Sequence, residues 1–121
     1  MTPLEKDIEK ALGRMVGRHG GMCLKWTCPG WAGVPDRIIL LPGGRIMFAE
    51  LKRPKGGEFG KLQQWWAEKL SALGFVHVLV RTHADVKAIE VAIMYPGGRP
   101  QHHVGYTGKC FMVDEGVCGD E

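Results

Sequence analysis

Three residues of this 121-residue chain have types and spacing that could do chemistry together: Asp36, Glu50 and Lys52. Glu50 and Lys52 are two apart, so on an extended strand both project from one face while Leu51 projects from the other, into a core. Two carboxylates converging on one spot are costly unless they are protonated or bridged by a cation. Mg²⁺ prefers oxygen ligands and typically takes one or two carboxylates, waters and a phosphate oxygen. Asp36 and Glu50, completed by the backbone carbonyl of Leu51, therefore make a reasonable divalent-metal site. Lys52 could hold a water or hydroxide nucleophile, or stabilise charge building on a scissile phosphate. Gln63 could orient Lys52 or that water. The bland alternative is two sheet-edge ion pairs, Asp36–Lys52 and Glu50–Arg37, worth under about 1 kcal/mol each.

The elements that must position these residues begin with a β-hairpin. Two apolar runs, Ile38 to Leu41 and Ile46 to Ala49, flank the turn signal Pro42-Gly43-Gly44. Asp36 enters the first strand, and Glu50 and Lys52 leave the second, so the turn brings all three to one end. Upstream, residues 3–19 read as an amphipathic helix. Thr2 suits the N-cap, Pro3 the first helical position and Glu5 a capping box, and Leu4, Ile8, Leu12, Met15 and Val16 form the buried stripe. Glu5 borders that stripe, either as a capping acid or as a contributor to the cluster. Met22 to Thr27 reads as a strand, with Lys25 turned to solvent or to the cluster. A Pro- and Gly-containing loop with a half-buried or exposed Trp31 follows.

After Lys52 comes a basic loop, Arg53-Pro54-Lys55-Gly56-Gly57-Glu58, suited to touching a phosphate backbone or equally to simple solvation. Residues 59–73 read as a helix burying Phe59, Leu62, Trp66, Leu70 and Leu73, with Gly74 as its C-cap. Phe75 to Val80 is apolar enough for a central strand. Thr82 with Asp85 opens a third helix through Val86, Ile89 and Ile93. The strand–helix–strand–helix order from 45 to 93 implies a βαβ-type unit and a mixed sheet.

The length suits a single domain with one core. Hydrophobic content is 45% and charged content 24%, ordinary for a globular protein. No apolar run reaches the roughly 20 residues that span a bilayer, and the N-terminus is charged rather than signal-like, so a cytoplasmic protein without membrane partners is expected. Residues 1–93 hold 14 basic and 9 acidic residues, a net of +5, while residues 94–121 hold 2 and 4, a net of −2. A basic body suits a polyanionic partner or incidental charge bias. Cys23, Cys28, Cys110 and Cys118 form no C-x-x-C pair, and reduced thiols are a better reading than zinc bound with His102 or His103.

The series Pro35-Asp36, then Glu50-Leu51-Lys52, resembles the PD-(D/E)XK nuclease superfamily, and more closely the small stand-alone, virus-type members of the VRR-NUC family. The resemblance covers about residues 4–92. It includes Glu5-x-x-Ile8, Gly20-Gly21 then Lys25, Pro29-Gly30, Gly33-Val34-Pro35-Asp36-Arg37, Glu50-Leu51-Lys52, and Gly57 with Gln63. It departs at Phe59-Gly60-Lys61, where the family often has a Leu-Ser-Pro-like helix start, and after about Ile93.

The resemblance implies an α/β, restriction-endonuclease-like core of about four strands in a mixed sheet flanked by helices, in the order αβββαβα. The nuclease domain would be residues 1–93, with 94–121 a C-terminal tail or short hairpin. It implies a metal-dependent endonuclease in which Asp36 and Glu50 bind Mg²⁺ or Mn²⁺ and Lys52 assists the water. Glu5 would close the site from the first helix and Gln63 would support it. Lys25, Arg37, Arg53 and Lys55 would contact nucleic acid. It further implies action on branched DNA, such as Holliday-junction or flap-like substrates, by a homodimer with no small-molecule cofactor. The alternatives are a non-catalytic nucleic-acid-binding module on the same fold and a metal-free, partner-binding α/β domain.

Overall fold

The structure, a computed structural model, describes residues 3–53 and 60–95. Seven elements follow one another: α1 (Pro3–Arg18), β1 (Met22–Lys25), β2 (Arg37–Leu41), β3 (Arg45–Leu51), α2 (Lys61–Ala72), β4 (Val76–Val80) and α3 (His83–Met94). The four strands form one mixed sheet in the order β1-β2-β3-β4. β1–β2 and β2–β3 are antiparallel, and β3–β4 is parallel, with α2 as the crossover. The α/β order expected from the sequence is the observed one.

The hairpin forms where the turn chemistry requires it. Gly43 and Gly44 both take positive φ (82° and 76°), a conformation that carries no steric penalty for glycine. Register then sets the faces. Arg37 pairs with Ala49, Ile39 with Met47, and Ala49 with Val78, so these side chains share one face. On that face lies the main core: Ile39, Met47, Ala49 and Val78 are buried with Ile8, Leu12 and Val16 of α1 and Val86, Ile89 and Ile93 of α3. Thr82 caps α3, its Oγ1 accepting from the Asp85 N–H (3.2 Å) while the Asp85 carboxylate accepts from the Thr82 N–H (3.1 Å).

The opposite face carries Phe48, Glu50 and His77. A second, aromatic core builds there. Phe48 stacks at an angle on Trp26 (centroids 5.3 Å apart) and edge-on with Phe75 (5.4 Å), and Trp26 meets Trp66 of α2 edge-on (6.1 Å). His77 is buried there, and burial pushes its pKa down to about 4, so it stays neutral at physiological pH.

Three expectations are corrected, and the first is Leu4, which is 46% exposed rather than part of the buried α1 stripe. Phe75 to Val80 supplies the last strand in the sheet order rather than a central one; β4 pairs with β3 and is packed by α2 and α3. Helical cover on both faces gives the same continuous apolar run that a central position would. The second helix buries only part of the stripe expected of it, Leu70 fully and Trp66 partly. Leu62 (56%) and Leu73 (62%) are exposed, while Ala67, Leu70 and Ser71 are buried. The small side chains of Ala67 and Ser71 let the helix approach the sheet closely, and that rotation turns Gln63 rather than Leu62 inward. Leu73 is the C-cap residue, with Gly74 following it. Thr2 as N-cap, Phe59 in the second helix, and any hairpin in the tail lie outside the described residues.

Candidate active site

Asp36, Glu50 and Lys52 meet at the end of the sheet opposite the hairpin turn. The Arg37–Ala49 pairing leaves Asp36 level with Glu50, one residue beyond the last β2–β3 pair. The Leu51 N–H donates to Asp36 Oδ2 at 3.0 Å. In a strand the N–H and C=O of one residue point to the same side, so the Leu51 carbonyl shares the side on which Asp36 sits. Lys52 Nζ stands 3.6 Å from Glu50 Oε2, and its N–H donates to the Val80 carbonyl (3.0 Å), which anchors the strand end to β4.

Glu50 is 3% exposed. Its Oε2 accepts from Gln63 Nε2 at 2.6 Å, while its Oε1 is buried with no hydrogen-bond partner. Burial, and then the charge of Asp36, push the Glu50 carboxyl up to about 7, against the opposing pull of Lys52. Burial also raises Asp36, resisted by the Leu51 N–H and by the charges of Lys52 and Lys25. A buried acceptor lacking a donor, beside a second carboxylate, is a position that a cation would satisfy. Asp36 and Glu50 match the one or two carboxylates that Mg²⁺ takes. Among the described residues no group of three or more His, Cys, Asp or Glu side chains is placed to hold an ion. Cys110, Cys118, His102 and His103 lie outside them.

Gln63 is fixed at both ends. Its Oε1 accepts from the Gly60 N–H (2.9 Å) and its Nε2 reaches Glu50, whereas Gln64 points outward to Glu68 (3.1 Å). The loop before Asp36 is pressed under the start of α2. Gly33 has φ 83°, and a Cβ there would sit 2.6 Å from Leu62 Cβ. Trp66 Nε1 donates to the Ala32 carbonyl (3.0 Å), and the Trp26 N–H to the Asp36 carbonyl (2.8 Å). The aromatic core thus ties the loop carrying Asp36 to the helix carrying Gln63.

The remaining expected site residues fall into three groups. Glu5 on α1 lies near enough for its charge to raise the Asp36 carboxyl slightly. Lys25 is exposed and acts on Asp36, and Arg53 is exposed at the strand exit, its carbonyl accepting from Arg81 Nη1 (2.8 Å). Lys55 lies outside the described residues. Arg37 is a correction. It is 7% exposed and forms an ion pair with Glu9 of α1, with Nη1 on the Asp36 carbonyl (3.2 Å). It therefore neither faces a nucleic-acid backbone nor pairs with Glu50. Parity carried the signal: Arg37 lies an odd number of residues from Asp36 and shares the face of Ile39, away from Glu50. The Glu9–Arg37 pair fastens α1 to the strand start, and the sequence reading missed it.

No protein-family model matches the chain. Over 89 residues it is 39% identical to the candidate nuclease p44 of Acyrthosiphon pisum secondary endosymbiont phage 1, spanning 74% of this chain and 94% of that protein. The fold is similar to a solved structure described as a VRR_NUC domain, with a TM-score of 0.68 and 27% identity, over 74% of this chain and 97% of that one. Among the described residues no helix is long and apolar enough to cross a membrane.

Proposed function

The chain belongs to the VRR-NUC family of nucleases, and on that footing we propose that it is a Mg²⁺- or Mn²⁺-dependent endonuclease hydrolysing phosphodiester bonds in branched or structured DNA. The observation that carries this reading is the Glu50 carboxylate, buried beside Asp36 with Oε1 unsatisfied and Lys52 at 3.6 Å. Asp36, Glu50 and the Leu51 carbonyl would hold the ion. When bound, a divalent cation offsets negative charge developing on the phosphate and lowers the pKa of a nearby water.

The chain's own residues divide the remaining work. Gln63 holds Glu50 Oε2, which leaves the buried Oε1 without a protein donor and available to an ion. The Lys52 ammonium is positioned to donate to the attacking water oxygen or to a non-bridging phosphate oxygen. Water attacks phosphorus and loses its proton to solvent, the P–O3′ bond breaks, and the departing 3′ oxygen takes a proton from solvent, leaving a 5′ phosphate and a 3′ hydroxyl. Glu5 closes the site from α1, and Lys25 and Arg53 are exposed at its rim for phosphate contact.

A homodimer fits cutting of two strands. It is supported by an apolar row on the site face near the hairpin turn, where Met22 (57%) and Ile46 (37%) are exposed. Mass measurement in solution tests it, and a monomer would remove it.

The central test is cleavage of labelled linear duplex, flap, splayed and four-way junction DNA with Mg²⁺, with Mn²⁺ and with EDTA, beside Lys52→Ala. Cutting that needs the metal and falls at least about 100-fold in the variant supports the reading. Unimpaired cutting by Lys52→Ala refutes the site. Junction binding without any cutting assigns the fold to a binding module.

A further inference from the structure

Away from the site, α1 carries Lys6, Lys10, Arg14 and Arg18 at four-residue intervals, all exposed. At this spacing they are neighbours on one helix surface, and like charges so placed destabilise the helix that bears them. A solvated helix normally intersperses the opposite sign. Here the sequence accepts three successive repulsive pairs, and among the described residues Lys6, Lys10 and Arg14 form no ion pair. Asp7 near Lys10 and Glu90 at Arg18 offset that repulsion only in part, and a local rule broken with partial compensation points to function.

The stripe winds towards α3 as it descends. Arg14 and Arg18 line a groove of about 190 Å³ with His83 and Lys87 of α3. Two carboxylates lie on this side. Glu90 sits low in the groove, its side chain 14% exposed, and holds Arg18 (3.2 Å), His19 (2.9 Å) and Lys87 (3.8 Å). It fixes these cations rather than projecting past them. Asp7 is exposed beside Lys10. Five Lys/Arg side chains therefore face these two acids, while Glu5 and Glu9 flank Lys6 at the upper end and Glu9 is held by Arg37.

The track also has a direction. Its upper end adjoins the candidate active site, because Glu5 acts on Asp36 and Glu9 pairs with Arg37. At about 1.5 Å per residue it runs roughly 18 Å from Lys6 to Arg18, equal to about five base pairs at about 3.4 Å each.

We propose that Lys6, Lys10, Arg14, Arg18 and Lys87 form a second substrate surface, which grips the sugar-phosphate backbone of a double-stranded DNA arm leading away from the cut. The proposal rests on the nuclease reading for its ligand but not on the catalytic assignment. The phosphate contacts would carry no sequence preference and would bind in proportion to counterions released.

The test is the variant Lys10→Ala/Arg14→Ala, with Lys69→Ala on α2 as a surface-charge control. Both Lys10 and Arg14 are exposed, and alanine favours helix, so the fold is retained. Binding of a labelled four-way junction with 15-base-pair arms is measured in EDTA across a salt series. The double variant is expected to lose about 2 from the log–log salt slope and to raise KM with kcat unchanged, while Lys69→Ala behaves as wild type. Arms cut back below about five base pairs should abolish the difference between wild type and the double variant.

An unchanged slope and KM in a double variant whose wild type binds and cuts would overturn the track while leaving the nuclease reading intact. A wild type that binds with the slope dependence but does not cut would support the track and sink the catalytic reading. No junction binding by the wild type would overturn the track.

Discussion

Glu50→Gln isolates the cost of holding a carboxylate in this site. The wild-type carboxyl is 3% exposed, and its pKa moves from the usual 4.5 to about 7. At about 1.4 kcal/mol per tenfold change in proton affinity, that displacement corresponds to on the order of 3 kcal/mol of destabilisation once the group is ionised. The sign follows from proton binding. Below pH 4.5 the carboxyl is protonated in both folded and unfolded chains. Between 4.5 and about 7 the unfolded chain releases its proton while the folded one keeps it, so stability falls as pH rises and is flat above.

The amide removes this loss, less whatever the Lys52 pair at 3.6 Å contributed. In EDTA at pH 8 we expect Glu50→Gln to be more stable than wild type by about 1–3 kcal/mol. At pH 4.5 the difference should shrink towards zero. The difference between the two proteins is the quantity to measure, because His77, held near 4 by burial, titrates through the same window in the opposite sense. Urea unfolding at several pH values reads it out. Added Mg²⁺ should stabilise wild type and leave the variant unmoved, and the variant should not cut DNA. A variant equally or less stable than wild type at pH 8 in EDTA would refute the argument that Glu50 is a buried charge only partly compensated by Lys52 and Gln63.

Asp36→Asn should abolish Mg²⁺-dependent stabilisation as well as cleavage, checked by thermal shift with and without the metal. Gln63→Ala frees Glu50 Oε2 and should lower kcat by about 10–100-fold with the fold retained, whereas Gln64→Ala should do nothing; steady-state kinetics separates the two. Gly33→Ala meets both a positive φ and Leu62 Cβ, so unfolding should reveal a loss of at least about 1–3 kcal/mol. Arg37→Ala leaves the part-exposed Glu9 without its ion-pair partner and should cost about 1–2 kcal/mol in stability, read by urea unfolding.

Much of this protein was legible along the chain, because periodicity and turn chemistry are local. The Pro42-Gly43-Gly44 turn between two apolar runs specifies the hairpin, and the hairpin alone brings Asp36 level with Glu50. The spacing of 50 and 52 fixes their common face, and Thr82 with Asp85 specifies the start of α3. What the sequence left undecided depends on what covers each face. An apolar run records that Val76–Val80 is buried, not that helices rather than strands bury it. The Leu62–Leu73 stripe competes with a hydrogen bond to Glu50, and only the packed structure decides that Ala67 and Ser71 face the sheet and Gln63 the site. Arg37 could have answered to Glu50, to a phosphate or to Glu9; the partner is set by α1 lying against the main core face, a contact between elements nearly thirty residues apart. The pKa of Glu50 is likewise tertiary, since it arises from exclusion of water and from the nearness of Asp36. The sequence by itself determined which groups could meet, and the packing decided their charge state, their partners and the side from which a substrate could reach them.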